Sequence, residues 1–255
     1  MTLVVTRLFL LVSLVVGSVV SLAHGTAGDQ IFTVGIVGDS LSWQAETSIE
    51  SVLSHSGYLA RISVNPGHAL SSSWAQGRLT TDLRDSRIGI IVIETASNDS
   101  FDLARSAISV DQYSNLLKGL LRAAGGRCVV VVNAKVNVTP FYYRPQDALA
   151  VNRTISELAL ANPNERIVDW NEEAQSHRSW FRVDLLHFTS DLPIAGSARN
   201  SPPSLSQSAG DRAFALAIVH GVQSCVGTTQ PTLRDGSHVG ADPLAGRPGV
   251  ARLGD

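Results

Sequence analysis

The chain reads as an α/β protein, a three-layer α/β/α sandwich around a parallel sheet. Three observations predict this. Short β-branched apolar runs alternate with stretches of helical spacing, the pattern of repeated strand–helix–strand units. Ile88 to Glu94 is an unbroken apolar run ending in a carboxylate, as in a central parallel strand buried on both faces. A length of 255 residues gives enough chain for one such core.

The elements follow in order. Ile31 to Val37 is a β-branched and aromatic run and predicts the first strand. Gly38 breaks it, Asp39 and Ser40 sit on the break, and Leu41, Ala45, Ile49, Val52 and Leu53 form one helical stripe. Leu59 to Asn65 alternates as a second strand, and Pro66-Gly67-His68 turns the chain. Ser71 to Leu83 reads as a modest helix, Ile88 to Glu94 as the third strand, and Thr95 to Asp99 as a polar loop. Ser109 or Asp111 caps a helix that Gly125-Gly126 ends. Cys128 to Val136 predicts the fourth strand, Asp147 to Leu160 a helix, and Arg166 to Trp170 a short fifth strand. Trp180 to Phe188 is a loop containing Asp184 and His187, and Ser206 to Val222 is the last helix. Right-handed crossovers leave few topologies for five parallel strands. The flavodoxin-like order 2-1-3-4-5 is a common one, with a ligand crevice at the carboxyl ends of strands 1 and 3.

The ends of the chain differ in character. Met1 to Ala23 carries Arg7, then an apolar run with a small-residue exit at Ser21-Leu22-Ala23, which reads as a signal peptide. The run is almost long enough for the alternative, an uncleaved single-span anchor. Residues 28–226 form the expected domain, and 227–255, rich in Gly, Pro and Asp, read as a disordered tail. The expected location is therefore secreted or in the cell envelope. Charge is nearly balanced, 20 Lys+Arg against 22 Asp+Glu, with no basic block, so nucleic acid is excluded as a partner. No Cys/His cluster has metal-ligand spacing, and no metal or cofactor is expected.

Four pieces converge on the crevice. Ser40 lies at a strand-to-helix turn, where free N–H groups and the helix dipole favour negative charge. That suits an alkoxide nucleophile and the oxyanion it creates. Gly67 offers a backbone N–H with no side chain in the way, and Asn98 offers an amide. With the Ser40 N–H these make a three-donor oxyanion hole. Asp184 and His187 are three apart, a spacing at which a helical turn lets carboxylate meet imidazole, leaving the other ring nitrogen to deprotonate Ser40. Taken singly these are a helix cap, two turn residues and a surface ion pair. The ordered set is what points to chemistry.

On these residues the chain resembles the SGNH, or GDSL, hydrolase family. Gly38-Asp39-Ser40-Leu41 looks like its first block, Gly67 its second, Asn98-Asp99 its third and Asp184-Leu185-Leu186-His187 its fifth. The resemblance runs from Phe32 to Val222. It implies a flavodoxin-like sandwich and a Ser-His-Asp esterase needing no metal, with Ser40 as nucleophile, Gly67 and Asn98 as oxyanion donors, His187 as base and Asp184 as its orienter. Two departures stand out. Ala96 occupies the place of the third block's usual glycine, and a position needing positive φ would strain alanine and displace Asn98. Ser190 to Ser204 intervene before the closing helix and are expected at the substrate rim.

The expected activity is hydrolysis of an oxygen ester, the substrate an acylated carbohydrate or lipid of the cell envelope. An acyltransferase using the same triad and a non-catalytic carbohydrate-binding protein on the same fold are the alternatives. A disulfide between Cys128 and Cys225 is expected at the sheet edge opposite Ser40. Helix C-termini and strand N-termini share that edge, and an exported chain permits the bond. The alternative is two buried thiols.

Overall fold

The structure, a computed structural model, describes residues 32–189 and 208–226. The expected signal segment at 1–23, the insertion at 190–204 and the tail at 227–255 lie outside the described residues.

Five strands, β1 (Thr33–Gly38), β2 (Leu59–Val64), β3 (Ile88–Glu94), β4 (Cys128–Val132) and β5 (Glu165–Val168), form one sheet in the order β2-β1-β3-β4-β5. Every neighbouring pair is parallel. The predicted order is the observed one. β1, β3 and β4 are almost wholly buried, as their Val/Ile runs require. The helices are α1 (Ser40–His55), α2 (Ser73–Arg84), α3 (Ala96–Ala104), α4 (Val110–Ala124), α5 (Pro145–Ala161), α6 (Trp170–Gln175) and α7 (Ala209–Val226). Right-handed crossovers from this strand order put α1 on one face of the sheet and α2 to α5 on the other. α7 packs on α1 and against β3 to β5, which completes three layers.

Several boundaries differ from the sequence reading. β4 stops at Val132: the Asn133 N–H makes one last bond to the Val168 carbonyl, and the Ala134 N–H and carbonyl then pair with the Asn152 side chain. β5 spans Glu165–Val168, and Trp170 begins a short helix instead of ending the strand. The segment Thr95 to Asp99, expected as a polar loop, enters α3. Its polar groups are satisfied inward: Thr95 Oγ1 donates to Asp99 Oδ2 at 2.8 Å, and Ser100 Oγ donates to the Ala96 carbonyl. α7 runs to Val226, so Cys225 lies within the last helix and not past its end.

Cys128, the first residue of β4, is disulfide-bonded to Cys225. The bond lies at the edge where strands begin, opposite the edge where β1 and β3 deliver Ser40 and Asn98. Among the described residues no helix is long and apolar enough to cross a membrane.

Candidate active site

The chain turns sharply where β1 meets α1. A Cβ on Gly38 would lie 2.3 Å from Ser42 Oγ, so only glycine lets the first helical turn fold back onto the strand end. Asp39 caps the helix, its Oδ1 accepting the Leu41 N–H at 2.9 Å. Ser40 is therefore the first helical residue, and it opens onto a pocket of about 280 Å³. Gly67, Asn98, Tyr142 and His187 line the same pocket, with Pro66, Phe101, Tyr143 and Leu186 as its apolar walls.

His187 Nε2 lies 3.1 Å from Ser40 Oγ, and its Nδ1 lies 2.9 Å from Asp184 Oδ2. Serine, imidazole and carboxylate thus form one continuous hydrogen-bonded chain. The spacing of Asp184 and His187 is not realised by a helical turn, as the sequence reading supposed. Leu185 sits at φ 61°, and Asp184 Oδ1 accepts the N–H groups of both Leu186 and His187. A leucine in the left-handed region costs on the order of 1–2 kcal/mol, a strain typical of functional loops. The hydrogen bonds of Asp184 hold it in place. Burial alone would raise the Asp184 carboxyl, but donation from the His187 ring and the two backbone N–H groups overcomes this and holds it at about 2.

An aromatic underside supports this loop. Phe181 and Phe188 form an isolated antiparallel bridge, and the Arg182 N–H donates to the His187 carbonyl at 2.8 Å. Trp170, fully buried, packs against Trp180, Phe181, Phe188 and Phe214. Gln44 of α1 accepts the Phe188 N–H at 3.1 Å, tying the loop of His187 to the helix of Ser40.

Gly67 has φ 80°, and a Cβ there would meet no atom within 4 Å, so backbone conformation and not space requires glycine. Asp99 fixes this loop to α3, its Oδ1 accepting the Leu70 N–H at 2.8 Å. Burial pushes the Asp99 carboxyl up to about 8, against the hydrogen bonds from Thr95 and Leu70. Asn98 Nδ2 donates to Asp39 Oδ2 at 2.7 Å. That bond uses one amide hydrogen and leaves the second for the pocket. Ala96 is buried in the first turn of α3 and is not at positive φ, so the strain anticipated there is absent. His68 packs against Trp74 and does not line the pocket.

Three contributors were not singled out from sequence. Tyr142 Oη lies 3.4 Å from both Asp184 Oδ2 and His187 Nδ1, its ring edge-on to the imidazole. No local pattern marks it, because the path of the β4–α5 connection brings it there. Gln44 was hidden on a helix face. Glu94 did carry a signal, a carboxylate closing a buried strand, but only the register that sets it beside Gly38 shows its partner.

No protein-family model matches the chain, and no curated protein does. Solved structures match its fold. The C-terminal catalytic domain of Streptococcus pneumoniae peptidoglycan O-acetyltransferase A is similar at TM-score 0.54 and 18% identity, over 77% of this chain and 96% of that one. A lipase/acylhydrolase from Enterococcus faecalis is similar at TM-score 0.57 and 12% identity, over 76% and 96%. An acetyl-xylooligosaccharide esterase from Geobacillus is similar at TM-score 0.51 and 12% identity, over 75% and 94%. At such identities the likeness is one of fold.

Proposed function

We propose that the protein is an exported serine esterase of the SGNH type that hydrolyses an oxygen ester through an acyl-enzyme on Ser40. The observation that carries this is the chain Ser40 Oγ to His187 at 3.1 Å and His187 to Asp184 at 2.9 Å, opening onto a pocket that Gly67 and Asn98 also line.

His187 Nε2 takes the Ser40 proton as Oγ attacks the ester carbonyl. Asp184 stays ionised and holds Nδ1–H, fixing the tautomer and steadying the imidazolium. The N–H groups of Ser40 and Gly67 and the free amide hydrogen of Asn98 meet the oxyanion. The tetrahedral intermediate collapses, the C–O bond breaks, and His187 returns its proton to the leaving alcohol. Water then repeats the sequence on the acyl-Ser40 ester, with His187 again as base. The apolar start of the sequence and the disulfide support export. The substrate class we propose is an acylated carbohydrate or lipid of the cell envelope.

Acyl transfer is the second reading. A sugar hydroxyl would replace water in deacylation, and a peptidoglycan O-acetyltransferase domain stands among the fold relatives. Nothing favours the non-catalytic carbohydrate-binding reading, since Ala96 is helical and does not strain the segment that carries Asn98. The test is a screen of p-nitrophenyl esters of increasing chain length and acetylated polysaccharides, with and without an acceptor alcohol. Turnover that Ser40→Ala abolishes is the expected result. Correctly folded protein inactive on every ester would overturn the proposal.

A further inference from the structure

Glu94 is 2% exposed at the end of β3, where a carboxyl costs several kcal/mol unless its oxygens are satisfied. Its Oε2 accepts the Asp39 N–H and the Ser42 N–H, each at 3.2 Å, and the Ser42 hydroxyl at 2.7 Å. Together with Asp39, which takes the Leu41 N–H, it caps the second and third N–H groups of α1. Neither carboxyl takes the first, that of Ser40, which is left for the pocket.

The two carboxyls are also buried neighbours that interact with each other. Two buried carboxylates in contact cannot both be ionised. Burial, then the charge of Asp39, pushes Glu94 well above the carboxylate range, and burial raises Asp39 as well, so the pair resists full ionisation. His187, Asp99 and Tyr143 are the other titratable groups that face this pair. The Asp39 carboxyl accepts from the Leu41 N–H at 2.9 Å and from the Asn98 amide at 2.7 Å.

We propose that Glu94 is a positioning residue: from beneath the nucleophile it locks the first turn of α1 and, through Asp39, turns the second Asn98 N–H toward the pocket. The inference rests on the serine-esterase reading, whose oxyanion donors it places. It also explains why an otherwise apolar strand ends in a carboxyl.

Glu94→Leu removes the side-chain acceptor of the Ser42 N–H and hydroxyl, while the Asp39 N–H keeps its bond to the backbone carbonyl of residue 94 at 3.0 Å. The substitution should lower kcat about 10- to 100-fold and leave KM within about threefold, because a misplacement of about 1 Å at the reacting centre costs that much. Glu94→Gln is neutral, accepts through its oxygen and donates through its amide, and should restore most of the loss. A merely structural role would lower the melting temperature without splitting kcat from KM. The readout independent of activity is the Asn98 side-chain amide in an NMR correlation spectrum, assigned by its loss in Asn98→Ala. It should keep its position in Glu94→Gln and move in Glu94→Leu. If Glu94→Leu does not fold, Ser42→Ala, which removes one donor, should shift the same resonance and lower kcat severalfold. An unmoved resonance, or Glu94→Gln as damaged as Glu94→Leu, overturns the proposal. Failure of the esterase reading looks different: wild type would hydrolyse no ester, while the resonance would still report whether Glu94 governs the amide.

Discussion

Removing the disulfide gives a prediction with a calculable size. The double variant Cys128→Ala/Cys225→Ala opens a covalent loop whose ends are 97 residues apart. In the chain-entropy model, freeing a loop of that length in the unfolded state costs about 4 to 5 kcal/mol of stability. The folded state should change little. α7 is held independently by Phe214, Ile218 and Val222, all fully buried, so it stays docked without the bond. Spread over a domain of this size, the loss corresponds to a fall in melting temperature of roughly 10 to 20 °C. The candidate active site lies at the other edge of the sheet, so initial ester hydrolysis at room temperature should be nearly unchanged. Thermal denaturation by circular dichroism and initial rates measure the two effects. A fall of only 2 or 3 °C would mean that the bond pins a helix end without constraining the unfolded chain. Equal loss of activity and stability would refute the separation of the bond from the site.

Asp184→Asn keeps the acceptor for the Leu186 and His187 N–H groups but presents an amide to Nδ1. His187 then holds its proton on Nε2 and cannot deprotonate Ser40, so kcat should fall about 10⁴-fold. Activity within a few-fold of wild type would mean that another group orients the ring. Asn98→Ala should lower kcat about 10²- to 10³-fold with less change in KM, read from steady-state kinetics. A raised KM with kcat intact would make Asn98 a substrate-binding residue only. Glu165 is buried, and among the described residues neither of its oxygens has a hydrogen-bond partner. Burial raises its carboxyl from 4.5 to about 7. The folded protein keeps a proton that the unfolded chain releases above 4.5, so Glu165 should make stability fall as pH rises from 4.5 to 7, by up to about 3 kcal/mol, after which its own contribution is constant. Asp99, raised to about 8, acts in the same sense. Denaturant titrations should find Glu165→Gln more stable than wild type at pH 8. No difference between pH 8 and pH 5 would contradict this.

The parallel sheet was legible because β1, β3 and β4 are written as β-branched runs buried on both faces, and the turn at Gly38 because it interrupts one of them. α3 was not legible. Thr95, Ser97, Asn98 and Asp99 are turn formers in isolation, and what the sequence does not show is that Asn98 bonds Asp39, Asp99 bonds the Leu70 N–H and Thr95 bonds Asp99. The turn at Leu185 was hidden for the opposite reason: leucine carries no signal for positive φ, and the conformation is imposed by Asp184 and the bridge beneath it. Asp39 looked like a simple cap, because its links to Asn98 and Glu94 span 59 and 55 residues and depend on the pairing of β1 with β3.

The central claim is that Ser40 is a nucleophile activated by His187. Its most direct measurement is reaction with a fluorophosphonate probe followed by peptide mapping by mass spectrometry. The expected result is one phosphonate adduct, on Ser40, absent from Ser40→Ala and strongly slowed in His187→Ala. An adduct on another serine, or none on folded protein, would contradict it.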